Sequence, residues 1–202
     1  ATFGPRETEV DALVDSVVAD FGGDRIAAFD AWIDAQFALP RTSIYELNYA
    51  LDQEEWSMNG NDPKNANNPQ PFHNNQRIAW FSGAIGGKDQ LRQRVGFALS
   101  QILVISDENA SVRRNHYGAG AYFDMLAGHA DGNYRRILVD VSKSPMMAKY
   151  LSHLQNRKAT FDGNGNQITS PDENYAREIM QLFSIGLVHL HPDGSLKLDE
   201  NG

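Results

Sequence analysis

Glu178 is the residue of this sequence best placed for acid–base chemistry. It stands in the stretch Ser170–Gly186, where Tyr175, Ala176, Ile179, Leu182 and Phe183 fall on one face at the helical angle and Glu173, Arg177, Gln181 and Ser184 on the other. Asn174 and Glu178 lie on the border between the two, one turn apart. A carboxylate at the edge of a core is partly desolvated and calls for a cationic or donor partner. Used chemically, Glu178 would be a general acid or base, with Arg177, Arg92 or Arg94 holding an anionic group beside Asn174. Used structurally, it would pair with Arg92 or Arg94 and lock two helices together, while Glu173 and Arg177 form a surface pair at four-residue spacing. The residues leave both readings open, and with them whether the protein is an enzyme.

Two metal chemistries are also written in the side chains. Asp162, Asn164, Asn166 and Glu173 occupy positions one, three, five and twelve of a calcium-loop pattern, but Gln167 stands where that loop needs glycine. The same Asp, Asn and Gly residues are ordinary turn formers, so a turn is the competing reading. His189 and His191 alternate in an expected strand and can face one metal, yet no third ligand stands at a recognisable spacing, and surface histidines are expected. Nucleophilic catalysis finds no cysteine, no G-x-S-x-G elbow and no lysine-bearing phosphate loop. Trp56, Trp80, Tyr117 and Tyr122 are able to stack on sugars, although aromatics at helical spacing usually fill a core.

The elements that must position these groups are helices. Val10, Leu13, Val14, Val17, Val18 and Phe21 recur at helical spacing and stop at Gly22-Gly23. Ile26 to Phe37 forms a second helix, and Ser43 with Glu46 opens a third as a capping box. Helices follow over Asn74–Ile85, with Ile78 and Phe81 inward, and over Leu91–Ile105, with the stripe Leu91, Val95, Leu99 and Ile102 expected to pack on Tyr175, Ile179 and Leu182. Tyr117, Ala121, Tyr122 and Met125 continue the series, Asn133 caps a short helix carrying Tyr134, Ile137, Leu138 and Val141, and Ser144-Pro145 caps another with Met147, Tyr150, Leu151 and Leu154 inward. In the last of the series, Ser170 is expected at the cap, Pro171 at the first helical position and Glu173 closing the box. A polar stretch at 59–71 reads as a long loop, and Val188 to Leu198 alternates around Pro192-Asp193-Gly194 as a β-hairpin over 187–199. The fold class is therefore mainly α: a single irregular domain of about nine helices over 1–202, with a small β-hairpin near its C-terminus.

The net charge of −8 argues against a nucleic-acid partner, whose phosphates it would repel. No apolar run approaches the ~18 residues of a membrane span. The chain opens on Ala1 rather than Met, so a trimmed start and a lost export signal belong to the expectation.

Three separated motifs carry a family resemblance. Leu91-Arg92-Gln93-Arg94-Val95-Gly96-Phe97-Ala98-Leu99-Ser100-Gln101, Gly132-Asn133-Tyr134-Arg135 and Pro171-Asp172-Glu173-Asn174-Tyr175-Ala176-Arg177-Glu178 together resemble the bacterial family known as domain of unknown function 1800. The likeness continues through Gln181-Leu182-Phe183-Ser184-Ile185-Gly186-Leu187 and Pro192-Asp193-Gly194, while Asp131 departs from the aromatic usual before Gly132. The resemblance implies a large exported protein, periplasmic or extracellular, of which this chain would be the N-terminal part. It also implies two partners, the absent C-terminal half and a sulfatase-like neighbour protein. It carries no catalytic residues. The leading expectation is an exported helical scaffold or binding module. The alternative is an envelope or extracellular hydrolase acting on a polymer through acidic residues, with or without a divalent metal such as calcium.

Overall fold

The structure is a computed structural model that describes residues 7–58 and 73–198; the expected loop at 59–71 and the outer end of the 187–199 hairpin lie outside them. Local chemistry starts and stops most of the helices. α1 (Glu7–Ala19) ends where Gly22 and Gly23 both take positive φ. α2 (Arg25–Ala38) begins at Asp24, whose Oδ1 accepts from the amides of Ile26 and Ala27. α3 (Ile44–Met58) begins at Ser43, whose Oγ accepts from the Glu46 amide at 3.0 Å. After α4 (His73–Gly86), α5 (Gln90–Ile102) and the single turn α6 (Ala110–Arg113) comes α7 (His116–Gly128). Asn133 caps α8 (Tyr134–Lys143), and Ser144 followed by Pro145 caps α9 (Pro145–Tyr150), as the residue types dictate.

α7 is the hub. It packs on α3, α4, α5, α6 and α9, and it buries His116, Ala119, Gly120, Tyr122, Leu126 and Ala127. Around Leu126 and Met147 gather Leu103, Val112, Ile137, Val141 and Phe183, which form the apolar core. Its neighbours approach closely because glycine permits it: a Cβ on Gly96 of α5 would stand 3.0 Å from Ala127 Cα.

This close packing overturns several inward faces read from periodicity. On α5 the buried residues are Gln90, Arg92, Gly96 and Ser100, whereas Leu99 is half-buried and Ile102 is exposed. α5 packs chiefly on α7, α2 and α4, and Leu99 shares with Tyr175 and Ile179 only the border of the same core. On α4 the buried residues include Asn75, Gln76 and Ala79, while Ile78 and Phe81 face out. The apolar stripe shows which face of an isolated helix is greasy; here glycine contacts and a buried polar network set which face turns inward.

The C-terminal stretch also differs from expectation. α10 (Asn174–Met180) starts after Glu173, three residues later than Ser170 would have it. Neither Ser170 nor Glu173 caps it; Asp172 Oδ1 accepts from the Asn174 amide at 2.9 Å. A π-helical turn, Gln181–Ile185, continues it and closes with Gly186 at φ +76°, the left-handed residue the sequence supplied. Within that wide turn Phe183 enters the core and Leu182 stays half exposed to water. A two-stranded antiparallel ladder, irregular in register at Thr160–Phe161, instead joins β1 (Thr160–Phe161) and β2 (Gln167–Thr169) on either side of the Asp162 stretch. The turn at Pro192–Gly194 does form, but among the described residues it carries one bridge, Leu190 to Leu196.

Candidate functional site

An aromatic cleft of about 380 Å³ opens between α4, α5 and α7. Trp80 is its centre, with its ring 5.0 Å edge-on from Phe81 and 5.5 Å from Phe97, and Phe123 closes the far wall. Gln76, Ser100, Gln101 and Ser106 are its uncharged polar residues. At the mouth Arg77 Nε donates to Asp107 Oδ2 at 2.6 Å, so the carboxylate nearest the cleft is already paired.

Behind the cleft lies a buried polar network that the sequence reading missed. Asp52 of α3 accepts from Asn75 Nδ2 at 2.8 Å and from the Tyr117 hydroxyl, and its Oδ2 lies 2.9 Å from His116 Nε2. Asn75 Nδ2 also reaches Glu55 Oε2 at 3.0 Å. Asp52 is 6% exposed and His116 4%. Tyr117 holds its proton far above the ordinary tyrosine range, first because burial disfavours the phenolate, then because Asp52 accepts its hydrogen bond and adds a negative charge. The network ties three helices together: α4 turns Asn75 into it and the next residue, Gln76, into the cleft. Asn48, one turn before Asp52, is fully buried on the same face, and neither polar atom of its side chain finds a partner among the described residues. The signal was faint because Asp52 opens the run Asp52-Gln53-Glu54-Glu55, which reads as a solvated face. Only its one-turn spacing from Asn48 hinted otherwise.

The residues singled out from sequence do not converge. Arg92 is buried, donates to the Phe37 carbonyl, lies 5.4 Å over the Phe37 ring and stands 3.8 Å from Asp89. It anchors α5 to α2 and does not meet Glu178. Arg94 Nη2 contacts Gln90 Oε1 at 3.4 Å. Glu178 is half-buried and, among the described residues, pairs with neither arginine. Arg177 and Glu173 do form the expected surface pair, at 2.6 Å. Arg177 lines a shallow cavity with Gln181, Leu187 and His189, without Glu178 or Arg94, and Asn174 is exposed.

The Asp162 loop is the turn of the β1–β2 hairpin. Asp162 Oδ1 accepts from the amides of Asn164 and Asn166, and its Oδ2 accepts from Asn166 Nδ2, bonds that hold its carboxyl below the usual range. Glu173 is engaged with Arg177 instead of facing that loop. His189 and His191 are exposed, and among the described residues no cluster of three His, Asp or Glu side chains is arranged to hold a metal. Nor is any described helix long and apolar enough to cross a membrane.

With this geometry in place, the chain can be set against known proteins. The family described as protein of unknown function DUF1800 matches residues 1–196. The chain belongs to it. No curated protein and no solved structure matches. In this DUF1800 chain the three motifs that carry the likeness have distinct structural duties. Leu91–Gln101 forms most of α5 and one wall of the cleft through Phe97, Ser100 and Gln101. Gly132 makes a tight turn, where a Cβ would stand 3.1 Å from the His129 carbonyl, and Asn133 caps α8. The Asn174–Glu178 segment places Tyr175 on the core, its hydroxyl donating to Ser142 Oγ and its ring stacked 4.0 Å from His153.

Proposed function

We propose that this DUF1800 chain is a helical binding module, exported to the periplasm or beyond, that holds a small ligand with an apolar body and a polar end. The aromatic cleft carries the reading. Trp80, Phe81, Phe97 and Phe123 offer ring faces, Gln76, Ser100 and Gln101 offer donors and acceptors, and the acidic group at the mouth is neutralised by Arg77. A pocket of this size with few polar groups suits recognition. Proton transfer needs a titratable group within hydrogen-bond reach of the ligand, and among the described residues the titratable side chains lining the cleft, Arg77 and Asp107, are paired with each other. The location rests on what the family resemblance implies, and fractionation of cells making the full-length protein tests it.

The test of the site is titration with the probe 1-anilinonaphthalene-8-sulfonate, an aromatic with one polar end. Saturable one-to-one binding is expected, lost in Phe81→Ala and in Gln101→Phe, which fills the mouth from an exposed position. Equal binding by both variants would overturn the assignment. The alternative of an envelope hydrolase, with or without a divalent metal, keeps one specific observation in its favour: Glu178 is a half-buried carboxylate without a cationic partner among the described residues.

A further inference from the structure

The hairpin of α1 and α2 presents a second surface, of a different kind. α1 buries none of its residues, and its substantial packing is with α2 alone. Between the two helices runs a trough of about 600 Å³ lined by Val10, Leu13, Val14, Val17, Phe29 and Trp32, among others. Val14 is 60% exposed and Val18 74%, and Ile26 of α2 is 75% exposed. Apolar residues bared in a continuous strip on a charged element mark an interaction surface.

The charge around the strip decides what it fits. At 100° per residue, Asp11 and Asp15 form the next row outward from Val14 and Val18, and Asp30 and Asp34 the next row outward from Ile26 and Ile33. The apolar strip thus has a carboxylate row along each outer side. Residues 7–38 hold eight acidic residues against one basic residue, Arg25, a net of −7 out of −8 for the whole chain. A second copy of the same face would bring these charges together, and anionic lipid headgroups would be repelled. A trough as long as α1 accepts a helix of about three to four turns.

We infer that the α1–α2 trough is a docking site for a basic amphipathic helix of a partner protein. Its apolar stripe lies on Val10, Val14, Val18 and Phe29, and its Lys or Arg residues reach the aspartate rows on both sides. Desolvated aliphatic contact supplies most of the lifetime of the complex, and the charges supply orientation and association rate.

The test uses the full chain and a labelled 14-residue Leu/Lys amphipathic peptide, read by fluorescence anisotropy. A Leu/Glu peptide of the same pattern and a Ser/Lys peptide of the same charge are the controls. One-to-one binding is expected for Leu/Lys alone, weakening as salt is raised. Val14→Asp is the deciding variant. It makes the surface more acidic, so purely electrostatic adhesion would strengthen, whereas trough binding falls at least tenfold. Val14 is solvent-exposed, and an unchanged melting curve confirms that the variant is folded. Neutralising Asp11, Asp15, Asp30 and Asp34 to Asn should also weaken binding and flatten its salt dependence. Binding by the Ser/Lys peptide, undiminished binding to Val14→Asp, absence of saturable binding, or comparable binding of the protein to phosphatidylcholine–phosphatidylserine vesicles would each overturn the inference.

Discussion

Asp52 and His116, sixty-four residues apart, meet at 2.9 Å in the interior, and the same Asp52 oxygen also accepts the hydroxyl of Tyr117. One carboxylate thereby joins α3 to α7 and, through Asn75, to α4.

Asp52→Ala would strand His116, Tyr117 and Asn75 together. Removing one partner of a buried pair costs about 3–5 kcal/mol, against about 1 kcal/mol for an exposed one. Denaturant unfolding should show the larger loss, and a cycle with His116→Ala should give a coupling of at least ~1 kcal/mol. Additive losses would mean that the two residues act independently.

Alkaline pH should unfold the protein through its tyrosines. Burial raises the pKa of Tyr122, with Tyr175 adding to it, and burial followed by Asp52 raises that of Tyr117. Because the folded state holds these protons more tightly than the unfolded chain, their contribution is complete below the ordinary value of about 10 and is lost as pH rises above it. Stability should therefore decline above about pH 10, and Tyr122→Phe should flatten that decline. An equal slope in the variant would discount the linkage.

Core truncations should separate the observed interior from the one that periodicity suggests. Leu126 is fully buried, so Leu126→Ala should cost about 2–5 kcal/mol. Leu99 only borders that core, so Leu99→Ala should cost clearly less. A reversed order in urea unfolding would contradict the packing.

Glu178→Gln should change stability by no more than about 1 kcal/mol, the range of a half-exposed side chain without an ion pair. A loss of about 3–5 kcal/mol would instead reveal a buried partner. Retained stability with loss of a hydrolytic activity would move the functional reading to the enzyme.

Added calcium should leave the melting temperature unchanged, because Asp162 already accepts bonds from its own turn. A rise with calcium that is reversed by chelator and abolished in Asp162→Ala would establish a site there.

The sequence by itself determined where most helices begin and end, and which family the chain belongs to. Asp24, Ser43, Asn133 and Ser144 act on amides two or three residues away, so their effect is legible without the rest of the chain. Gly22, Gly23 and Gly186 take the positive φ that their positions ask for. Capping is weaker evidence where rival acceptors crowd together, and Asp172 displaces Ser170 at α10. Tertiary structure alone decided which face of each helix turns inward. Gly96 lets α5 press on Ala127, the Asp52 network draws Asn75 in, and Ile78 and Phe81 are left outside. The cleft and the network join residues tens of positions apart, and periodicity within one helix holds no record of such partners. What a side chain meets across an interface, more than its own hydrophobicity, fixes whether its burial is favourable.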